Sequence, residues 1–152
     1  MVRVIEFFYK LQRIYWKIRK PLTMGTRVIV EKEDSILLVQ MTYMRGWFLP
    51  GGGVDKGETF YTSAKRELQE ECGLEASDLK LLGVYLNRKH GKVDHVAVYL
   101  APPPGSDPSI QDPREIRAVR YFHKNELPAD LAPGHRRRIE EFYGLRDLDH
   151  HW

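Results

Sequence analysis

A Leu-Pro-Gly-Gly-Gly run at positions 49–53 separates two stretches of different hydrophobic period, and that juncture narrows the folds open to the chain. Before it, Thr26–Val30 and Ser35–Thr42 are rich in Val, Ile and Leu, with a turn signal at Glu33-Asp34 between them. This pattern predicts a pair of strands. After it, Tyr61, Ala64, Leu68 and Cys72 recur at helical spacing, which predicts a helix over Glu58–Cys72 with that face toward the core. Further on, Leu81–Asn87 and Val93–Leu100 read as a hairpin about His90-Gly91, Ala101–Pro113 as a loop, Ile116–Phe122 as a strand and Gly134–Tyr143 as a closing helix. The mixed order predicts an α/β or α+β sandwich with helices on both faces of a sheet.

A chain of 152 residues with 42% apolar and 30% charged residues fits one globular domain. Its single cysteine, Cys72, excludes an internal disulfide framework and any multi-cysteine metal site. On the core side of its helix, Cys72 reads as a small buried hydrophobe. No run of 18 uncharged apolar residues occurs, so no bilayer-spanning helix is expected and the cytoplasm is the expected compartment. Residues 1–20 hold six basic residues against Glu6 alone, more positive charge than the +3 of the whole chain. The basic character therefore belongs to an appendage, and nucleic acid is an unlikely partner for the domain itself. That appendage reads as an amphipathic helix over 1–21, its polar residues spaced by three and four, and Pro21 ends it. Charges interrupt its apolar runs, so it is not expected to act as a signal peptide. It is open to three readings: packing on its own domain, a homodimer seam, or, less favoured, an anionic membrane surface. The expected organisation is this helix, a main domain over 22–147 and a tail over 148–152, where disorder is the default.

The informative chemistry lies on the helix after the glycine loop. Glu67, Glu70 and Glu71 stand at i,i+3 and i,i+4 spacings, which puts three carboxylates together. Like charges so placed destabilise a helix, whereas a hard divalent cation takes oxygen ligands and reverses the sign. Arg66 beside them is able to hold a carboxylate by a bidentate hydrogen bond. The preceding glycines allow close backbone approach to a ligand.

Gly52, Glu58, Arg66, Glu67, Leu68, Glu70, Glu71, Gly73 and Leu74 fit the spacing G-x5-E-x7-R-E-U-x-E-E-x-G-U, with U a bulky aliphatic residue. This resembles the signature of the Nudix hydrolases, and seven fixed positions at ordinary residue frequencies make a chance match roughly one in 10⁸ or rarer. Softer similarity extends to Ile36–Gln40, Gly46–Gly53 and Arg120-Tyr121-Phe122, but not to the first helix. The resemblance implies an α/β/α sandwich with a mixed sheet. It also implies an Mg²⁺-dependent hydrolase of nucleoside diphosphates linked to a group X, with Mn²⁺ as a substitute. Carried over by position, Glu67, Glu70, Glu71 and the Gly52 carbonyl would ligate metal, while Glu58 and Arg66 would orient the cluster. Glu67 would alternatively be the general base, within reach of a metal-bound water, and the catalytic set is Glu67, Glu70 and Arg66. For a further ligand or base outside the motif, Glu115 is the first candidate, with Asp94, Asp107 and Asp112 behind it.

Within the family, the proline of ADP-ribose hydrolases about fifteen residues past the motif is absent, Lys89 and His90 standing there. The tyrosine of the diadenosine polyphosphate group is missing from His90–Lys92, and no coenzyme A motif precedes the box. The remaining expectation is a small-molecule nucleotide substrate, a nucleoside triphosphate cut to monophosphate and pyrophosphate. Capped or 5′-triphosphate RNA, or binding of a nucleotide without turnover, are the alternatives. Trp47, Phe48, Tyr85 and Tyr99 are candidates for a base-stacking face, against a plainer reading as packing aromatics. Arg136-Arg137-Arg138 could contact phosphates of a substrate or of RNA, but they point three ways on a helix and a solvated face is the favoured expectation; His123 and His135 form no ligand pair.

Overall fold

The computed structural model describes residues 22–89 and 92–152. The expected helix over 1–21, with its dimer and membrane readings, lies outside the described residues. In chain order the elements are β1 (Leu22–Lys32), β2 (Ser35–Met41), α1 (Phe60–Cys72), β3 (Lys80–Lys89), β4 (Lys92–Ala101), β5 (Ile116–His123) and α2 (Pro133–Phe142). The strands form one sheet in the order β3-β4-β1-β2-β5. β1 runs parallel to β4, and the other neighbours are antiparallel.

Among the described residues each face of the sheet carries one helix, and the central strands are buried on both sides. Val28, Val30, Leu37 and Val39 point into one layer with Ala64, Leu68 and Cys72 of α1. Their neighbours Ile29, Ile36 and Leu38 point into the other, with Ile139 of α2. That two-sided burial is why Ile36-Leu37-Leu38-Val39 is continuously apolar instead of alternating. Truncating a core side chain such as Leu68, which is 1% exposed, to alanine costs about 2–5 kcal/mol.

β1 and β2 are paired only near their shared turn, at Glu31–Ile36 and Lys32–Ser35. Glu33 and Asp34, with φ of 52° and 61°, make that two-residue turn left-handed, as a twisted hairpin requires. Beyond the turn the two strands part, and the glycine loop fills the gap. Thr26 N–H donates to the Gly52 carbonyl and Val28 N–H to the Pro50 carbonyl, both at 2.9 Å. On the β2 side, Val39 and Phe48 exchange two backbone bonds of 2.9 Å. Gly51 has φ of 133°, and a Cβ there would run into the Thr26 carbonyl. Only glycine serves at that position.

Two sequence expectations need correction. β1 begins at Leu22 instead of Thr26, because Leu22–Gly25 pair with Val93–Val96 of β4. The C-terminal end is ordered: Leu86 N–H donates to the His150 carbonyl at 2.8 Å, and Trp152 N–H donates to the Leu86 carbonyl at 2.9 Å. The unpaired edge of β3 thus captures a segment expected to be loose. Among the described residues, no helix is long and apolar enough to cross a membrane.

Candidate active site

Thr59 caps α1 and exchanges bonds with Thr62, Thr62 N–H to Thr59 Oγ1 at 3.1 Å and Thr59 N–H to Thr62 Oγ1 at 3.0 Å. This start excludes Glu58 from the helix and frees its carboxylate to reach Arg66. Both Glu58 oxygens accept from that guanidinium, Nε to Oε1 at 2.8 Å and Nη2 to Oε2 at 2.9 Å. Arg66 holds Glu58 down to a pKa of about 2, through those bonds first. The same guanidinium donates to Glu67 Oε1 at 2.8 Å, Glu70 Oε2 at 3.1 Å and the Gly53 carbonyl at 3.1 Å. One arginine therefore links the glycine loop, Glu58 and two of the three carboxylates.

The three glutamates occupy different environments. Glu70 is 59% exposed at the rim, whereas the Glu67 side chain is 13% exposed. Glu71 is buried, and its Oε2 accepts the Gly51 N–H at 2.7 Å. Burial drives its pKa up to about 8, resisted by the Gly51 bond and by Arg27, and Glu67 and Glu115 add repulsion. Glu67 is also raised, again by burial, with Arg66 opposing. A Cβ on Gly52 would collide with the Glu67 carboxylate, so these oxygens lie directly against the loop backbone. Among the described residues, no three Asp, Glu, His or Cys side chains already converge as a metal cage. Arg66 draws Glu67 and Glu70 toward itself, and the Gly52 carbonyl already accepts from Thr26. The donor set still fits a hard cation. It is all oxygen, it is crowded against a backbone carbonyl with a second lone pair, and among the described residues no positive charge contacts its most buried member.

Glu67, Glu71 and Gly51–Gly53 open onto a cleft of about 580 Å³. Its walls include the cations Arg27, Arg88, Lys92 and Arg137, of which the sequence raised only Arg137, as one of three arginines that could meet a phosphate. Glu115 lines the cleft and accepts from the Tyr43 hydroxyl at 3.3 Å. Asp94 also lines it, but takes a 2.7 Å bond from Thr23 Oγ1 and pairs with Lys92 at 3.7 Å. Asp107 pairs with Lys32 and Asp112 with Arg114 away from the cleft, which removes both as candidates.

Of the expected stacking residues, Phe48 borders the cleft, although it is 6% exposed and meets the His135 ring edge-on at 5.4 Å. Trp47, Tyr85 and Tyr99 do not. Trp47 packs on Phe122 at 4.7 Å, on the α2 side of the sheet. Tyr85 is 2% exposed in the same layer and donates to Glu141 Oε2 at 3.1 Å. Tyr99 is buried against Tyr61. The arginine run is not a solvated face either. Arg136 donates to the Pro128 carbonyl, Arg137 faces the cleft and Arg138 is wholly buried.

The model of the NUDIX domain matches residues 21–142. The chain belongs to the Nudix hydrolase family. Members of this family act on phosphorus-containing acid anhydrides and generally require a divalent metal. A Bacillus subtilis relative, provisionally assigned as an 8-oxo-dGTP diphosphatase, is 33% identical over 84% of this chain and 85% of its own length. An ADP-ribose pyrophosphatase of Methanocaldococcus jannaschii is 34% identical over 75% of this chain and 69% of its own. Among solved structures, the MutT Nudix hydrolase of Burkholderia pseudomallei superimposes with a TM-score of 0.73 at 27% identity, covering 79% of this chain and 97% of that one. In this Nudix hydrolase, the family match ends at the last residue of α2.

Proposed function

We propose that this Nudix hydrolase cleaves the pyrophosphate bond of a nucleoside diphosphate linked to X, with a nucleoside triphosphate, split to monophosphate and pyrophosphate, as substrate. The observation that carries the reading is Glu71, a carboxylate buried beside Glu67 on the glycine loop and raised in pKa to about 8, at the wall of a cleft. Without a cation such a group is kept neutral by its proton, and a divalent cation would replace that proton and make use of the charge. The relatives support the substrate class: one is named for a deoxynucleoside triphosphate and the other for ADP-ribose, and both compounds contain a nucleoside diphosphate.

Glu67, Glu70, Glu71 and the Gly52 carbonyl would hold Mg²⁺, or Mn²⁺ in its place, with Glu115 as a further ligand. A metal held by these oxygens would supply charge neutralisation at the phosphoryl oxygens and a more acidic water. Arg66 keeps Glu67 and Glu70 in one orientation, and its contact with exposed Glu70 is weak enough to yield to a stronger partner. Arg27, Arg88, Lys92 and Arg137 offset substrate phosphate charge along the cleft. As the alternative to metal ligation, Glu67 is the general base that accepts a proton from the attacking water.

The test is a phosphate-release screen with Mg²⁺ and with Mn²⁺, one arm supplemented with pyrophosphatase and the other with phosphatase. It spans nucleoside triphosphates, oxidised nucleotides, ADP-ribose, dinucleoside polyphosphates and nucleotide sugars. Pyrophosphate release from one group of triphosphates, reduced about 10²–10⁴-fold by Glu67→Gln, is the expected result. Silence across the panel overturns the substrate reading and directs attention to RNA 5′ ends.

A further inference from the structure

Residues past α2 lie outside the family match, yet they are built into the cleft. The segment from Asp149 to Trp152 runs along β3, bonded on both sides of Leu86 as described above. Its other face is gripped by α2. Arg138 Nη1 donates to the His151 carbonyl at 3.0 Å, and Asp149 N–H donates to Glu141 Oε1 at 3.1 Å. Arg138 and Glu141, both side chains 0% exposed, pair with each other at 2.7 Å. The Arg138 guanidinium also stacks on the Tyr85 ring, 3.9 Å from its centroid, and lies 5.7 Å from the Trp152 ring.

This clamp delivers Trp152 to the cleft wall. Its indole meets the His135 ring edge-on at 4.9 Å and that of Tyr85 at 6.2 Å. Gly134 makes the seat, since a Cβ there would strike the indole Nε1 and Cδ1. The other cleft aromatics are otherwise engaged: Phe48 is nearly buried, and the Tyr43 hydroxyl bonds Glu115 beside the acidic cluster. Trp152 is half-buried, and none of the ring and cation contacts just described involves Glu67, Glu71 or Glu115.

We propose that the C-terminal segment is the specificity wall of the cleft and that the Trp152 indole is the surface on which the planar base of the nucleotide lies. Arg138, Glu141 and Gly134 are the residues that position it. The inference rests on the hydrolase reading of the cleft. It assigns recognition of the base to the end opposite in chemistry to the carboxylates, where the phosphates are handled.

Titration calorimetry with two ligands in Mg²⁺ tests it: a nucleoside triphosphate with a non-hydrolysable α,β-bridge, and inorganic tripolyphosphate, which has no base. Trp152→Ala should weaken the nucleotide about tenfold while tripolyphosphate changes by less than about twofold, since one base–aromatic stack is lost and no phosphate contact is. Trp152→Phe, which keeps an aromatic face and the packing on Tyr85, should recover most of the affinity. Gly134→Ala sits where a helix prefers alanine, so it should unseat the indole and mimic Trp152→Ala without loss of fold. Equal weakening of both ligands, or undiminished nucleotide binding in Trp152→Ala, overturns the stacking role alone. Native protein that binds neither ligand overturns the cleft reading as well.

Discussion

Both faces of the sheet bury charge, and they do so in opposite ways. On the α2 face, Glu141 accepts from Arg138, from the Tyr85 hydroxyl and from the Asp149 N–H, so the carboxylate is fully engaged. On the α1 face, Glu71 accepts one backbone N–H and otherwise faces Glu67 and Glu115, with Arg27 acting only at a distance. In the first arrangement the carboxylate has all its partners without any ligand, although the buried Arg138 Nε has none, and the pair ties residues 149–152 to the sheet. Among the described residues the second is short of positive charge, and on the proposed function it would gain from a cation brought in. A buried charge supplied with all its partners indicates a structural tie, and one left short of positive charge indicates a binding site.

The contrast can be broken most forcefully on the satisfied side. Arg138→Met strands Glu141 in the interior and should cost about 3–5 kcal/mol in denaturant unfolding, whereas Arg138→Met combined with Glu141→Leu should recover much of that loss. Equal damage from the single and double variants would mean that packing of the arginine, not its charge, holds the tail.

A smaller effect is expected from pH on the unsatisfied side. The folded pKa of Glu71, about 8, lies above an ordinary value of 4.5, so the folded state holds this proton more tightly than the unfolded chain. Its contribution to stability is therefore complete below about pH 4.5 and is lost as pH rises through about 8. Thermal melts in chelator should show a declining midpoint across that window, and added Mg²⁺ should flatten the slope because it replaces the proton. A slope indifferent to the cation would detach Glu71 from metal binding.

The smallest effect marks the baseline for surface charge. Lys124 pairs with Asp34 at 2.7 Å at the β1–β2 turn, the carboxylate 58% exposed. Lys124→Ala should cost under about 1 kcal/mol. A larger loss would show that ion pairs in this fold are not ranked by burial and completeness of partners.

Much of this was legible in the sequence. The strands, the motif helix and the coverage of both sheet faces follow from period and from continuous apolar runs such as Ile36–Val39. The signature residues were readable, and so was Glu115 as a cleft residue. The burial of Glu71 was readable but missed: it stands seven residues after Ala64 and three after Leu68, on the apolar side of the helix. Arg27 and Lys92 were hidden for a topological reason, since the parallel pairing of β1 with β4 sets Arg27 opposite Val98, 71 positions later. Trp47 and Tyr85 fell to the other layer because the local pattern does not reveal which face of the sheet an aromatic residue takes. The capture of residues 149–152 depends on a free edge of β3 and on two α2 side chains, which no local pattern encodes.

The decisive measurement is a paired one on Glu71→Gln: Mg²⁺-dependent hydrolysis of the best substrate, and the melting midpoint in chelator at pH 8. Glutamine keeps an oxygen for the Gly51 N–H and removes only the charge. Activity should fall at least about a hundredfold, the range expected when charge stabilisation at a reacting phosphate is lost, while the midpoint stays level or rises. Retained activity, or a midpoint that falls together with activity, would contradict the claim that this buried carboxylate is kept for a cation and not for the fold.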